Sequence, residues 1–301
     1  MNIQTIGQIA ALGTAMCWAV TSLSFEAAGK RVGSLQVNLI RLVIALGIFA
    51  VFLTISRGSP FPAGAGSHVW IWLSLSGLIG FVMGDLFLFQ AFVDVGARTA
   101  MVVYSLVPPM TAVTGWLVLG EVLGPLQLLA MGVTVGGIIL VVTAVPPAAG
   151  NALENRPHRI RGIWFAVLGA VGQALGLVLS RYGAPQYDPF AATQIRVLAG
   201  LVGFTVVFLV TRRWPLLVRA LRDRTAMRHT LRGAFFGPFL GVSLGLYASQ
   251  RTSTGVTATL IATVPVILIP VTVFLFRDRI TAREILGAVL AVSGVALLFL
   301  A

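Results

Sequence analysis

Val107-Pro108-Pro109-Met110 and Val264-Pro265-Val266-Ile267 stand 157 positions apart, each near the middle of a long apolar run. Other features recur at nearly the same offset. Gly80 and Gly84 fall on Gly237 and Gly241, Gly120-Glu121 on Arg277-Asp278, Gln127 on Glu284, and Gly137 on Gly294. Asn38-Leu39-Ile40-Arg41 matches Thr193-Gln194-Ile195-Arg196 at 155. Leu and Val matches would mean nothing in so apolar a chain. Prolines, glycines and charged residues keeping one offset mean an internal repeat.

Around these stretches the 301-residue chain is 57% hydrophobic and 10% charged. A soluble domain carries roughly 25% charged residues, so this chain needs lipid as its solvent. The 33 glycines fit membrane helices that approach closely. Ten apolar runs read as spans over 5–28, 34–56, 69–92, 98–118, 124–145, 161–181, 189–211, 231–250, 255–276 and 281–300. The expected fold is all-α: ten transmembrane helices as two inverted five-helix repeats around a central cavity. The first repeat covers 1–145, a linker with Pro146-Pro147 and Arg156-Pro157 covers 146–160, and the second repeat covers 161–301. Five spans per half force the second half to enter from the opposite face, the inverted architecture of alternating-access transporters.

The net charge is +12, and its distribution speaks for membrane lipid rather than nucleic acid. Sixteen of the 21 basic residues fall in the loops of one side. Arg57, Arg181 and Arg251 lie on the other side, with the termini, and Arg41 and Arg196 lie inside spans. The bias makes the basic loops cytoplasmic and places both termini outside. The N-terminus, Met1-Asn2-Ile3-Gln4, lacks the basic start of a cleaved signal, so the first run reads as a retained span. Residues 212–228 mix Leu216, Leu217, Val218 and Leu221 with arginines and read as a surface amphipathic helix. Thr281-Ala282-Arg283-Glu284 reads as a capping box opening the last span.

The mid-span prolines with Leu119-Gly120-Glu121, together with Trp18 and Arg41-Leu42, resemble the EamA-type family of the drug/metabolite transporter superfamily. The resemblance covers both halves. It implies a bundle whose spans 1, 3, 4, 6, 8 and 9 line a cavity, and export or exchange of metabolites, often amino acids. It also implies the inner (plasma) membrane of a bacterium. Some members of that family keep their termini in the cytoplasm, and the arginine distribution departs from that arrangement.

Ionisable residues inside spans are costly and mark candidate sites. Arg41, Asp85 and Glu26 lie toward the basic side. Asp85 and Glu26 are candidate proton-coupling groups, with a structural ion pair as the plainer reading. Arg41 and Arg196 are candidates for a solute carboxylate. Snorkelling to the outer interface is the plainer reading for Arg196, and more so for Arg181. Val242 stands at the repeat counterpart of Asp85, so the halves are chemically unequal. Proline removes a backbone donor, and Pro108 and Pro265 at matching midplane positions point to the solute site. Trp18, Gln90, Tyr104, Gln173 and Tyr247 complete the substrate-binding candidates.

The function expected is secondary transport of a small metabolite such as an amino acid or another carboxylate-bearing solute. It would be driven by protons or exchange, in a monomer or homodimer. A lipid scramblase or a channel is the alternative. An intramembrane enzyme fits less well: His68, His158 and His229 lie in loops, and neither a nucleophile motif nor a metal-ligand cluster is present. Cys17 is the single cysteine, no Walker motif occurs, and no cofactor or metal is expected.

Overall fold

Helices carry this chain because lipid offers the backbone no hydrogen-bond partner, and a helix satisfies its amides internally. A computed structural model describes residues 2–62, 64–104, 106–143, 156–264, 266–268 and 281–300, and all regular structure among them is helical. The first repeat holds α1 (Ile3–Val32), α2 (Ser34–Arg57), α3 (Ser67–Gly77), a π-helical turn π1 (Leu78–Gly84), α4 (Asp85–Tyr104), α5 (Val107–Leu119) and α6 (Pro125–Thr143). The second holds α7 (Arg156–Gly183), α8 (Pro189–Thr211), a short α9 (Trp214–Arg222), α10 (Arg224–Ala234), π2 (Phe235–Gly241), α11 (Val242–Ser249), α12 (Thr254–Ile261) and α13 (Ala282–Leu300). Seven of these segments are long and apolar enough to cross a membrane: α1, α2, Ser67–Val95, Ile160–Gly183, α8, Arg224–Ser249 and α13. Shorter apolar helices, Val107–Leu119, Pro125–Val141 and α12 (Thr254–Ile261), lie in the remaining apolar runs. The chain is a multi-pass membrane protein.

The repeat is visible in the backbone. π1 and π2 both last seven residues and start 157 positions apart. α6 and α13 are repeat counterparts, and they pack antiparallel on each other. A methyl at Gly137 would overlap the Ala291 backbone, one at Gly294 would overlap Thr134, and one at Gly287 would press on Val141. Counterpart helices running in opposite directions are what an inverted repeat requires.

Two sequence expectations change in detail. The loop expected between 92 and 98 is helical backbone within α4, yet the chain still turns back there. Asp94 holds Arg161 at 3.0 Å, while Tyr104 shares a cavity with Gln173. Those α7 residues are twelve apart, about 18 Å along the helix. A straight α4 would carry Tyr104 away from Gln173, so it must reverse between Asp94 and Tyr104. The eighth span starts at Arg224 rather than 231, because the Asp223 carboxylate accepts from the Ala226 amide at 2.9 Å and caps α10 there. The surface helix is correspondingly confined to α9.

Local signals did specify the helix ends. Gly33 takes φ 92, closed to side-chain-bearing residues, and turns α1 directly into α2. The Thr281 amide donates to Glu284 Oε2 at 2.8 Å, and the Glu284 amide donates to Thr281 Oγ1 at 3.2 Å, a reciprocal capping box.

Candidate solute site and the buried charge cluster

The inverted repeat brings two matching arginines to one ring. Arg41 is the eighth residue of α2 and Arg196 the eighth of α8, each about 10 Å from its helix start. The two helices belong to halves that enter from opposite faces. Their guanidiniums meet on Phe81 of π1, at 5.6 Å for Arg41 and 5.1 Å for Arg196. Both arginines are only 3% exposed, as is Asp85.

Asp85 follows π1 directly, where the wider π turn re-aims the next side chain. Gly80 and Gly84 let α7 come close: a methyl at Gly172 would stand 2.6 Å from the Gly84 Cα. Ser76 Oγ donates to the Gly176 carbonyl at 2.6 Å across the same seam. Arg41 Nη2 donates to Asp85 Oδ2 at 2.5 Å, and its Nε donates to Asn38 Oδ1 at 3.1 Å. Asn38 Nδ2 donates to the Ser34 and Asp85 carbonyls at 3.1 and 3.4 Å. Phe25 and Phe89 stack on Arg41 at 5.5 and 4.7 Å, so aromatic faces replace part of the lost hydration.

Arg196 has no such partner. Its Nε is buried without a hydrogen bond. No described carboxylate lies within ion-pair distance of it, though Asp85 is in electrostatic reach. The positions matching Asn38 and Asp85 hold Thr193 and Val242, and the Thr193 hydroxyl donates to the Pro189 carbonyl at 2.7 Å. Snorkelling is therefore wrong for Arg196: the side chain points inward to Gly80 and Phe81. Arg181, near the end of α7, instead donates to the Pro185 carbonyl of the following loop at 3.1 Å.

The other candidates divide. Trp18, Tyr104 and Gln173 line one cavity with Val107, Leu177, Ala258, Ile261, Ala262 and Val264. The Trp18 and Tyr104 rings stand 6.2 Å apart, and the buried Tyr104 hydroxyl has no partner. The cavity volume of about 20 Å³ admits about one water. Pro108 sits not inside a kinked helix but in the first turn of α5, whose N-cap is Leu106. Its missing N–H falls among amides that no helix satisfies. α12 likewise ends at Ile261 before a turn at Ala262 and Thr263, at the matching place. Pro265 lies outside the described residues.

Glu26 pairs with Lys30 at 2.5 Å near the end of α1 and does not join Arg41. Gln90 accepts from Ser34 and donates to Asp94, each at 2.8 Å, in a bracket tying α2 to α4. Tyr247 lies under the Arg251 guanidinium at 3.4 Å. Leu177, Ala258 and Ile261 escaped sequence reasoning, because an apolar lining residue has the same pattern as a core residue.

The model of the EamA-like transporter family matches residues 5–143 and again 160–300. The chain belongs to the EamA-like transporter family. Among curated relatives, the threonine/homoserine exporter RhtA of Escherichia coli (strain K12) is 31% identical over 136 residues, 44% of this chain and 43% of that one. A WAT1-related chloroplastic protein of Arabidopsis thaliana is 24% identical over 80% of this chain and 56% of its own. The chain thus spans about half the length of the curated relatives it matches. A crystal structure of another protein superposes with TM-score 0.72 at 16% identity, over 98% of this chain and 96% of that one, and shows the shared fold. Family membership points to a transporter rather than an enzyme.

Proposed function

We propose that this chain exports a small carboxylate-bearing metabolite, an amino acid or a near relative, by alternating access across ten spans. The observation that carries the solute class is the charge count of the buried cluster: two guanidiniums and one carboxylate. A buried charge is strongly disfavoured unless paired. Asp85 serves Arg41, which leaves Arg196 to receive a carboxylate from the solute. Trp18, Tyr104 and Gln173 offer an aromatic wall and polar contacts between the halves. The printed name of RhtA supports an amino-acid solute. The setting is a bacterial plasma membrane with the basic loops cytoplasmic and both termini outside. Termini on a common side are supported by Gln8 Nε2, near the start of α1, donating to the Leu298 carbonyl, near the end of α13, at 2.7 Å.

Counterflow in liposomes tests this. Purified protein in vesicles preloaded with threonine or homoserine should accumulate the labelled amino acid. Arg196→Gln should abolish this while keeping a folded protein. Amines of the same size, lacking the carboxylate, should not exchange. Equal exchange of the amine and the amino acid would sink the carboxylate assignment. A pH gradient then separates proton coupling from exchange: Asp85→Asn should lose any pH-driven uptake.

A further inference from the structure

Apart from the cavity, with which it shares no lining residue, α2 and α10–π2 run side by side and leave a groove of about 960 Å³. Its walls include Ile48, Val51 and Ile55 on one side, and Leu231, Phe235 and Phe236 on the other. Its floor is opened by Gly47, where an added Cβ would meet nothing within 4 Å. Glycine inside a helix costs about 1 kcal/mol relative to alanine. Where Gly137, Gly172 and Gly294 let helices touch, Gly47 faces open space beside the groove residues. The groove is not uniformly apolar. Arg228 and Arg232, one turn apart and both exposed, stand at the end where α10 begins. The nearby Asp223 is committed to Arg31 at 3.1 Å and to the helix cap. Among the described residues neither arginine has an ion-pair partner. From Arg228 to Phe239 the groove runs about 16 Å along the helix, close to the depth of one leaflet's hydrocarbon, about 15 Å.

We propose that this groove is a binding site for one anionic phospholipid, its phosphate on Arg228 and Arg232 and an acyl chain lying over Gly47. Charge complementarity selects the occupant. A second copy of the chain would bring the same arginines to an apolar seam without an acid to meet them. A neutral lipid would leave the two guanidiniums without added charge. The occupant is distinct from the solute, so the proposal stands whether or not the export reading holds.

Native mass spectrometry of the full chain, titrated with phosphatidylglycerol or phosphatidylcholine, tests it. One phosphatidylglycerol should bind with a preference of about 25-fold, roughly fivefold for each arginine near the lipid phosphate. Arg228→Gln with Arg232→Gln should bring that preference to about one. Gly47→Phe, at a position where an added Cβ meets nothing within 4 Å, should obstruct the groove and displace both lipids while helicity by circular dichroism is unchanged. Equal binding of the two lipids by the parent protein overturns the proposal. Retention of phosphatidylglycerol by Gly47→Phe, or a dimer whose contact covers Gly47, also overturns it.

Discussion

π1 and π2 share a length, a glycine pair and a place in the repeat, yet they hold different chemistry. π1 is followed by Asp85 and carries Phe81 between two guanidiniums. π2 is followed by Val242 and holds Pro238 where π1 holds Phe81. The partner helices differ in step. Gly84 of π1 lies against Gly172 of α7, backbone to backbone, whereas Gly241 of π2 faces the side chains of Cys17 and Trp18 on α1. A backbone shape can therefore be duplicated while the charges it carries are not. The π turn supplies geometry, and the residue after it decides whether that geometry holds a carboxylate. The result is one buried ion pair in the first half and one unmatched cation in the second.

The largest expected effect follows from removing the carboxylate of the first half. Asp85→Ala leaves Arg41 buried and unpaired and should destabilise the protein by about 3–5 kcal/mol. Unfolding in detergent followed by circular dichroism measures this, and Val242→Ala, its counterpart, should cost far less. Equal losses would break the contrast between the halves. Next in size is the unmatched cation. Arg196→Gln breaks no ion pair and should leave stability nearly unchanged while weakening solute binding about tenfold or more. Val242→Asp should supply the missing carboxylate, occupy Arg196 and likewise depress binding. Solute-dependent thermal shifts report both. The helix seams come third. Gly172→Cys should cost about 1–3 kcal/mol through overlap with Gly84, while a cysteine already stands at the matching Cys17. A tolerated Gly172→Cys would show that the two seams are equally open.

The smallest effect lies at the helix starts. Asp223 caps α10, while its repeat counterpart Gly66 caps α3 without a side chain. The Ala226 amide, then the Arg31 guanidinium, holds the Asp223 carboxyl below its ordinary value. A lowered folded value means a contribution present above the unfolded value, about 3.9, and lost as pH falls through the folded one. Melting temperature should therefore drop slightly more on acidification in the parent than in Asp223→Asn. Gly66→Asp should give the first half the same cap and a gain of a few tenths of a kcal/mol.

Much of this was legible in the sequence because it depends on local patterns. Apolar run lengths give the spans, and the 157 offset gives the repeat. The Thr281–Glu284 spacing specifies its own capping box. Arg41 and Asp85 stand out because charges are rare in spans, and their pairing follows from that rarity. The environment of Arg196 was not legible. An arginine eight residues into a helix reads as a snorkelling residue unless its direction relative to Phe81 is known. Gln90 and Tyr247 match the polar and aromatic types of a solute site, but Gln90 ties α2 to α4, and Tyr247 lies beneath Arg251. The break before Pro108 was expected at the proline itself. It falls earlier, because proline fits a helix start better than a helix interior.

The sequence by itself determined that this chain lives in lipid, that it is helical, and that its two halves repeat with unequal charges. Composition and spacing are properties of the chain alone, and the backbone's need for internal hydrogen bonds converts them into helices. Only the tertiary structure decided that Arg41 and Arg196 converge on one aromatic ring with a single carboxylate between them. Convergence depends on how antiparallel halves pack, and a pattern written along one helix carries no record of which face of another it will meet.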